Sequence, residues 1–286
     1  MKKYFLNILF LYLFGDNVFS QISPPGLGKA NVAGWFALGI RQELDTIAGK
    51  GWQSMSYIGL GRKSNPDNYN PYFKQGILII NQEFYHQFHN DWQYSLALSY
   101  RRQNEYSDEP PYESEDPKLK QEFRIYSRIS YLFSSSHIKL TPTFRQEFRK
   151  FYAPHFKKAS ENFQLRSRFR LQLTVNLDHK KQHRLMVSSE QFFSVSRQNT
   201  SDKWTGFNYR ESRFTLYYSY LPETLPLIFN IGYMNNLVGQ KNPYSVHCFG
   251  FDIVIENPFK LQQRKKKASS KKILNNTLFP ESFFLK

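Results

Sequence analysis

Residues 162–176 run Asn162-Phe163-Gln164-Leu165-Arg166-Ser167-Arg168-Phe169-Arg170-Leu171-Gln172-Leu173-Thr174-Val175-Asn176. Every even position is polar or basic, and every odd one except Ser167 is apolar. Successive side chains of a strand point to opposite faces, so the stretch predicts one long strand with an oily and an arginine-rich face. A soluble sandwich would bury the oily face and leave the guanidiniums in water. A membrane barrel does the reverse, turning apolar side chains to lipid and polar ones to its lumen. The same alternation recurs along the chain and follows a secretion signal, which favours the second geometry. The expected fold is all-β: a single closed, antiparallel, up-and-down transmembrane β-barrel with a polar, Arg/Glu-rich lumen.

The signal is residues 1–20. Lys2 and Lys3 form a basic start, Tyr4 to Phe14 is a short apolar run, and Ser20 is a compact residue before a cut. That run is too short for a spanning helix, and no later window approaches the roughly 20 apolar residues one needs. Export to the outer membrane of a Gram-negative bacterium is expected, with residues 21–259 forming the barrel. Residues 260–286 then form a basic, disordered tail, where Arg264, Lys265, Lys266 and Lys267 make one run. Cys248 is the only cysteine, so no intramolecular disulfide can form. The mean hydropathy of −0.59 excludes a helical membrane protein but not a barrel, where only alternate residues meet lipid. Aromatic residues make up 17% of the chain, as belts at both membrane boundaries would require.

Candidate strands fall at Trp35–Leu44, Trp52–Arg62, Gln75–Phe88, Trp92–Gln103, Gln121–Phe133 and Ile138–Arg149. After the arginine strand come Arg184–Val195, Tyr209–Tyr220, Leu225–Asn235 and Ser245–Ile255. The links alternate. Short ones sit at His89–Asp91, Ser134–Ser136, Asp178–His183 and Leu221–Thr224, and longer polar ones at Asn104–Lys120, Lys150–Glu161, Arg197–Asn208 and Leu237–Tyr244. Short periplasmic turns and long external loops are the barrel pattern, which places the end of the last strand at the periplasm. Eleven strands are counted, whereas bacterial single-chain barrels have an even number. Ten or twelve are therefore expected.

Strand parity assigns a lumen charge network. Its cations are Arg41, Arg101, Arg124, Arg128, Arg145, Arg149, Arg166, Arg168, Arg170 and Arg213, and its acids are Glu43, Glu83, Glu122, Glu147, Glu190, Glu211 and Asp252. Lipid is expected to meet Phe123, Ile125, Ile129, Phe144, Phe163, Leu165, Phe169, Leu171 and Leu173. Arginine suits such a lumen because its planar fork holds carboxylates bidentately and stays charged. Cross-strand ladders of Arg and Glu follow, since an unpaired charge in a narrow lumen costs several kcal/mol.

The phrases Gln82-Glu83-Phe84, Gln121-Glu122-Phe123 and Gln146-Glu147-Phe148 repeat, with Arg41-Gln42-Glu43-Leu44 as a variant. Together with Trp92-Gln93-Tyr94 and Ser99-Tyr100-Arg101-Arg102, they make residues 33–257 resemble the exported barrel family catalogued as domain of unknown function 2490. The resemblance implies an outer-membrane β-barrel and carries over no catalytic residue. The basic tail departs from the family pattern.

Of the formal charge of +16, eight Lys or Arg against Glu281 fall in residues 260–286. A basic chain suggests nucleic acid, but an exported protein meets little of it. Outer-membrane lipid and lipopolysaccharide are the expected partners, with barrel-assembly machinery during insertion and a small anion as solute. The expected role is structural or that of a narrow, anion-favouring pore, with no enzyme activity, cofactor or metal. Two alternatives stand beside it. A lipid-modifying outer-membrane enzyme would draw on His86, His89, His179, His183, Ser188 and Ser189, although no zinc-protease helix or nucleophile-elbow motif is present. A secreted soluble β-barrel binding protein would need no detergent.

Overall fold

The protein is described from a computed structural model that covers Ile22 and residues 24–44, 51–199 and 203–259. The expected signal segment 1–20 and the expected tail 260–286 lie outside the described residues. The strands are β1 (Val32–Glu43), β2 (Gly51–Lys63), β3 (Lys74–His89), β4 (Trp92–Tyr106), β5 (Ser114–Tyr131), β6 (Phe133–Ser134), β7 (Ile138–Tyr152), β8 (Lys158–Asn176), β9 (His183–Gln198), β10 (Asn208–Tyr220), β11 (Leu227–Val238) and β12 (Tyr244–Glu256). Consecutive long strands pair antiparallel, and β5 reaches past the two-residue β6 to pair with β7. The ring closes where β1 lies beside β12. That pairing is parallel, from Val32 opposite His247 to Arg41 opposite Glu256.

Two expectations are corrected here. The wall has eleven strands rather than ten or twelve, and it is mixed rather than wholly antiparallel. An odd number of alternating strands leaves the first and last running the same way, so the seam must be parallel. Both Trp35–Leu44 and Trp52–Arg62 belong to wall strands, paired from Ala33 opposite Lys63 to Glu43 opposite Gln53. Consequently β1 starts at the end of the barrel that carries the long links, such as 64–73 and 107–113, while β12 finishes at the end with short turns. One of those turns is held by Asp178, whose carboxylate accepts from the backbone N–H of Gln182 at 3.1 Å and of His183 at 2.7 Å.

The described residues before β1, Ile22 and 24–31, run inside the ring. Ile22, Pro24, Leu27 and Ala30 are buried. A Cβ on Gly39 would stand 3.1 Å from Ile22 Cδ1, and one on Gly61 would stand 2.7 Å from Leu27 Cδ2. Gly39 lies opposite Tyr57 in mid-wall and Gly61 opposite Trp35 towards the long-loop end. This strap therefore climbs the lumen from mid-height to the rim, where Asn31 donates its backbone N–H to Ser64 Oγ at 3.2 Å before β1 turns down.

Alternation settles which residues look outward. Phe169, Leu171 and Leu173 are exposed at 51%, 50% and 37%, while Arg166 and Arg168 before them and Gln172 between them are buried. Aromatic rings gather on the outer face at both ends of the wall. Trp92 packs on Tyr131 (4.9 Å) and Tyr131 on Phe133 (4.4 Å) near the short turns. Tyr100 meets Phe123 (5.2 Å) and Phe163 meets Trp204 (6.2 Å) towards the long links. The outer polar residues satisfy one another across strands. Gln82 donates to Ser54 Oγ (2.7 Å), Ser167 to Gln146 (2.7 Å) and Ser212 to Gln191 (2.5 Å). Inside, the fully buried ring of Tyr217 lies against Gly232 and Gly250 of the next two strands, where a Cβ would come within 2.3 Å and 2.1 Å of it.

Candidate functional site: the barrel interior

The interior has two unlike walls. Strands β4, β5 and β7 to β10, joined by Glu83 of β3, carry most of the arginines and glutamates. Strands β1 to β3, β11 and β12 present an apolar wall that includes Trp35, Ala37, Met55, Ile77, Met234 and Cys248, and Ile22, Leu27 and Ala30 of the strap pack in the same cluster. The missing side chains of Gly59 and Gly61 make room there, with Trp35 lying on the first and Leu27 on the second.

The charged wall is a set of cross-strand clusters. Glu147 lies opposite Arg166 in the β7–β8 ladder and meets it at 2.7 Å. It also meets Arg145 at 2.8 Å and Arg124 at 3.5 Å. Glu122 holds Arg124 and Arg149, each at 2.7 Å. Glu190 holds Arg168 at 2.5 Å and Arg170 at 3.3 Å, and Glu211 holds Arg213 at 2.5 Å. Glu83 accepts from Ser95 Oγ (2.5 Å), Tyr126 Oη (2.8 Å) and Arg128 Nη2 (3.2 Å). Charge-assisted bonds of this kind are roughly twice as strong as neutral ones, and every cluster but the Glu211–Arg213 pair within β10 cross-links two or three strands.

Aromatic rings complete the clusters. Arg145 stacks 3.4 Å above the Tyr126 ring. Arg166, Arg168 and Arg213 surround Phe192, which is wholly buried, at 5.2, 4.9 and 4.4 Å. Guanidinium over an aromatic face is attractive, and more so when desolvated. Phe192 follows the inward parity of Glu190 on β9, so alternation alone points to it, although it is absent from the sequence-based lumen set.

The strap joins the two walls. Arg101 donates to the carbonyl of Gly26 at 2.7 Å, and Arg213 to that of Pro24 at 3.2 Å. Strap carbonyls thus serve as acceptors for arginines that the acids do not saturate. Between strap and arginines remains a cavity of about 60 Å³, lined in part by Pro24, Gly26, Tyr57 and Glu83.

The other expected lumen residues are placed as follows. Arg41 meets Glu256 at 3.1 Å, and Glu43, half-buried, donates its backbone N–H to Asn257 Oδ1, so both sit at the short-turn rim away from the main clusters. Asp252 is fully buried on the opposite wall, where it accepts from Asn230 Nδ2 at 2.6 Å and stands apart from the arginines. Phe123, Ile125, Ile129 and Phe144 are exposed on the outer face, and Phe163 and Leu165 share that face half-covered by neighbours. The residues considered for catalysis divide between faces. Ser188 is buried against Thr215 Oγ1 at 2.7 Å inside, while the His183 ring bonds Tyr218 Oη at 2.6 Å on the exposed side. Among the described residues no group of three or more His, Cys, Asp or Glu could hold a metal ion.

A family model described as "Protein of unknown function (DUF2490)" matches residues 78–246, more than half of the chain. No curated protein matches it at significance. Among solved structures, an anion-selective porin from Comamonas acidovorans is similar at a TM-score of 0.27 and 12% identity, over 71% of this chain and 56% of the porin chain. The chain thus spans little more than half the length of that porin.

Proposed function

We propose, for a chain that belongs to the DUF2490 family of proteins of unknown function, an integral outer-membrane β-barrel held shut by its own amino-terminal strap. Its role in that state is structural, and any passage through it is narrow and favours anions. The observation that carries this is the strap itself. Its apolar side chains pack on one wall of the lumen, and its carbonyls are bound by arginines of the other. Support for the membrane comes from the outward Phe, Leu and Ile side chains, bounded by aromatic rings at both ends, which is how a barrel meets lipid. Support for anions comes from the excess of arginine over acid around the cavity. Lipopolysaccharide and the insertion machinery are the partners such a barrel would meet.

Planar-bilayer recording tests both halves. Wild-type protein is expected to show little or no conductance. Leu27→Asp, which sets a charge against the apolar wall and expels the strap, is expected to conduct with a reversal potential of anion sign. A wide, unselective wild-type current would overturn the closed barrel, and cation preference in the variant would overturn the anion passage. Membrane-extracted protein should also migrate faster on gels before heating than after; recovery in water without detergent would defeat the membrane assignment.

A further inference from the structure

We infer that the arginine-lined cavity at the centre of the lumen is a binding site for one small free oxyanion of the phosphate or sulfate type. Among the described residues that line it, eight are arginines and Glu83 is the only acid. Glu83 is already engaged by Ser95, Tyr126 and Arg128. Across the clusters around the cavity, nine arginines (these eight and Arg149) face five glutamates, so the interior carries positive charge that nothing described neutralises. Buried unpaired charge is costly, and an enclosed anion removes the cost.

The unmet donors are specific. Among the described residues Arg101 donates only to the Gly26 carbonyl and the Gln103 side chain. Nε of Arg213 and Nε of Arg128 are buried without an acceptor, and Arg213 as a whole is 4% exposed. Guanidinium groups fit tetrahedral oxyanions with paired N–H donors, whereas they hold a halide with no such match. Size selects further. A cavity of about 60 Å³ exceeds the roughly 10–15 Å³ that admits one water and suits a compact ion. It excludes a lipid headgroup trailing its chains. Pro24, Pro25 and Gly26 line one side, so the ion would sit beneath the strap.

Equilibrium dialysis of the full barrel in detergent against labelled inorganic phosphate reads this directly, and it reads no current, so its failure leaves the closed barrel standing. One saturable phosphate per chain is expected, displaced by sulfate but not by equal chloride. Arg101→Gln should weaken binding about tenfold, the worth of one charge-assisted hydrogen bond. Its melting temperature without phosphate should fall only slightly, because the bond to the Gly26 carbonyl is lost but no carboxylate is orphaned. Glu83→Gln should shift affinity the opposite way. Absence of saturable binding to folded wild type, or equal affinity in all three proteins, overturns the site. Displacement by a phosphate-headed lipid with the same dependence on Arg101 would assign the donors to a headgroup and overturn the free ion.

Discussion

Glu147 has no solvent exposure and lies within ion-pair distance of Arg124, Arg145 and Arg166. Neutralising it takes a carboxylate from three buried guanidiniums at once, of which Arg124 keeps Glu122 at 2.7 Å and Arg166 has Glu211 only at 4.0 Å. Glu147→Gln is therefore expected to cost about 3–5 kcal/mol in denaturant unfolding of the micelle-held barrel. Leu171→Ala, on the outer face, should cost well under the 2–5 kcal/mol typical of a buried leucine. Equal losses at the two positions would mean that inside and outside have been exchanged. At this scale much was legible, because parity along a strand is a direct geometric code. Glu147 and Arg166 were placed on one face from sequence, and the ladder sets them opposite. Their partners in other strands were not legible, because register across the ring fixes them; Asp252 has the inward parity yet meets Asn230 instead of an arginine.

The strap is the element that sequence reading missed. Ile22 to Asn31 has prolines and glycines and no period of two or of 3.6, so no pattern marks it as packed. Its counterpart is equally faint in sequence: alternation along β2 is weak where Gly59 and Gly61 stand, and they are small because Trp35 and Leu27 lie on them. Cys248 offers a native probe of this packing, since it belongs to the same apolar cluster and is 1% exposed. Maleimide should label it slowly in the wild type and at least about tenfold faster in Leu27→Asp, following the free energy of local opening. An unchanged rate would show that the strap does not guard that wall. The longer strands β5 and β8 begin at Ser114 and Lys158, inside stretches expected to be loop, because ladder bonds continue there without apolar alternation.

For the molecule as a whole, counting strands proved better than the rule of even numbers. The alternation yields eleven, and the wall has eleven beside the two-residue β6. Parallel ladders are slightly less stable per residue than antiparallel ones. Amide exchange is therefore expected to be faster along β1 and β12 at the seam than along β7 and β8 at the same depth, and the reverse order would argue against this closure. The seam also dictates a chronology. The strap's apolar bed on β1, β2 and β3 is available as soon as the first hairpins form, whereas β12 arrives last in the chain. A peptide enclosed by the finished hoop is most simply laid down early, with the final strand then zipped past it. Maturation would thus resemble wrapping a wall around a core already in place, rather than threading a tip through a completed tube.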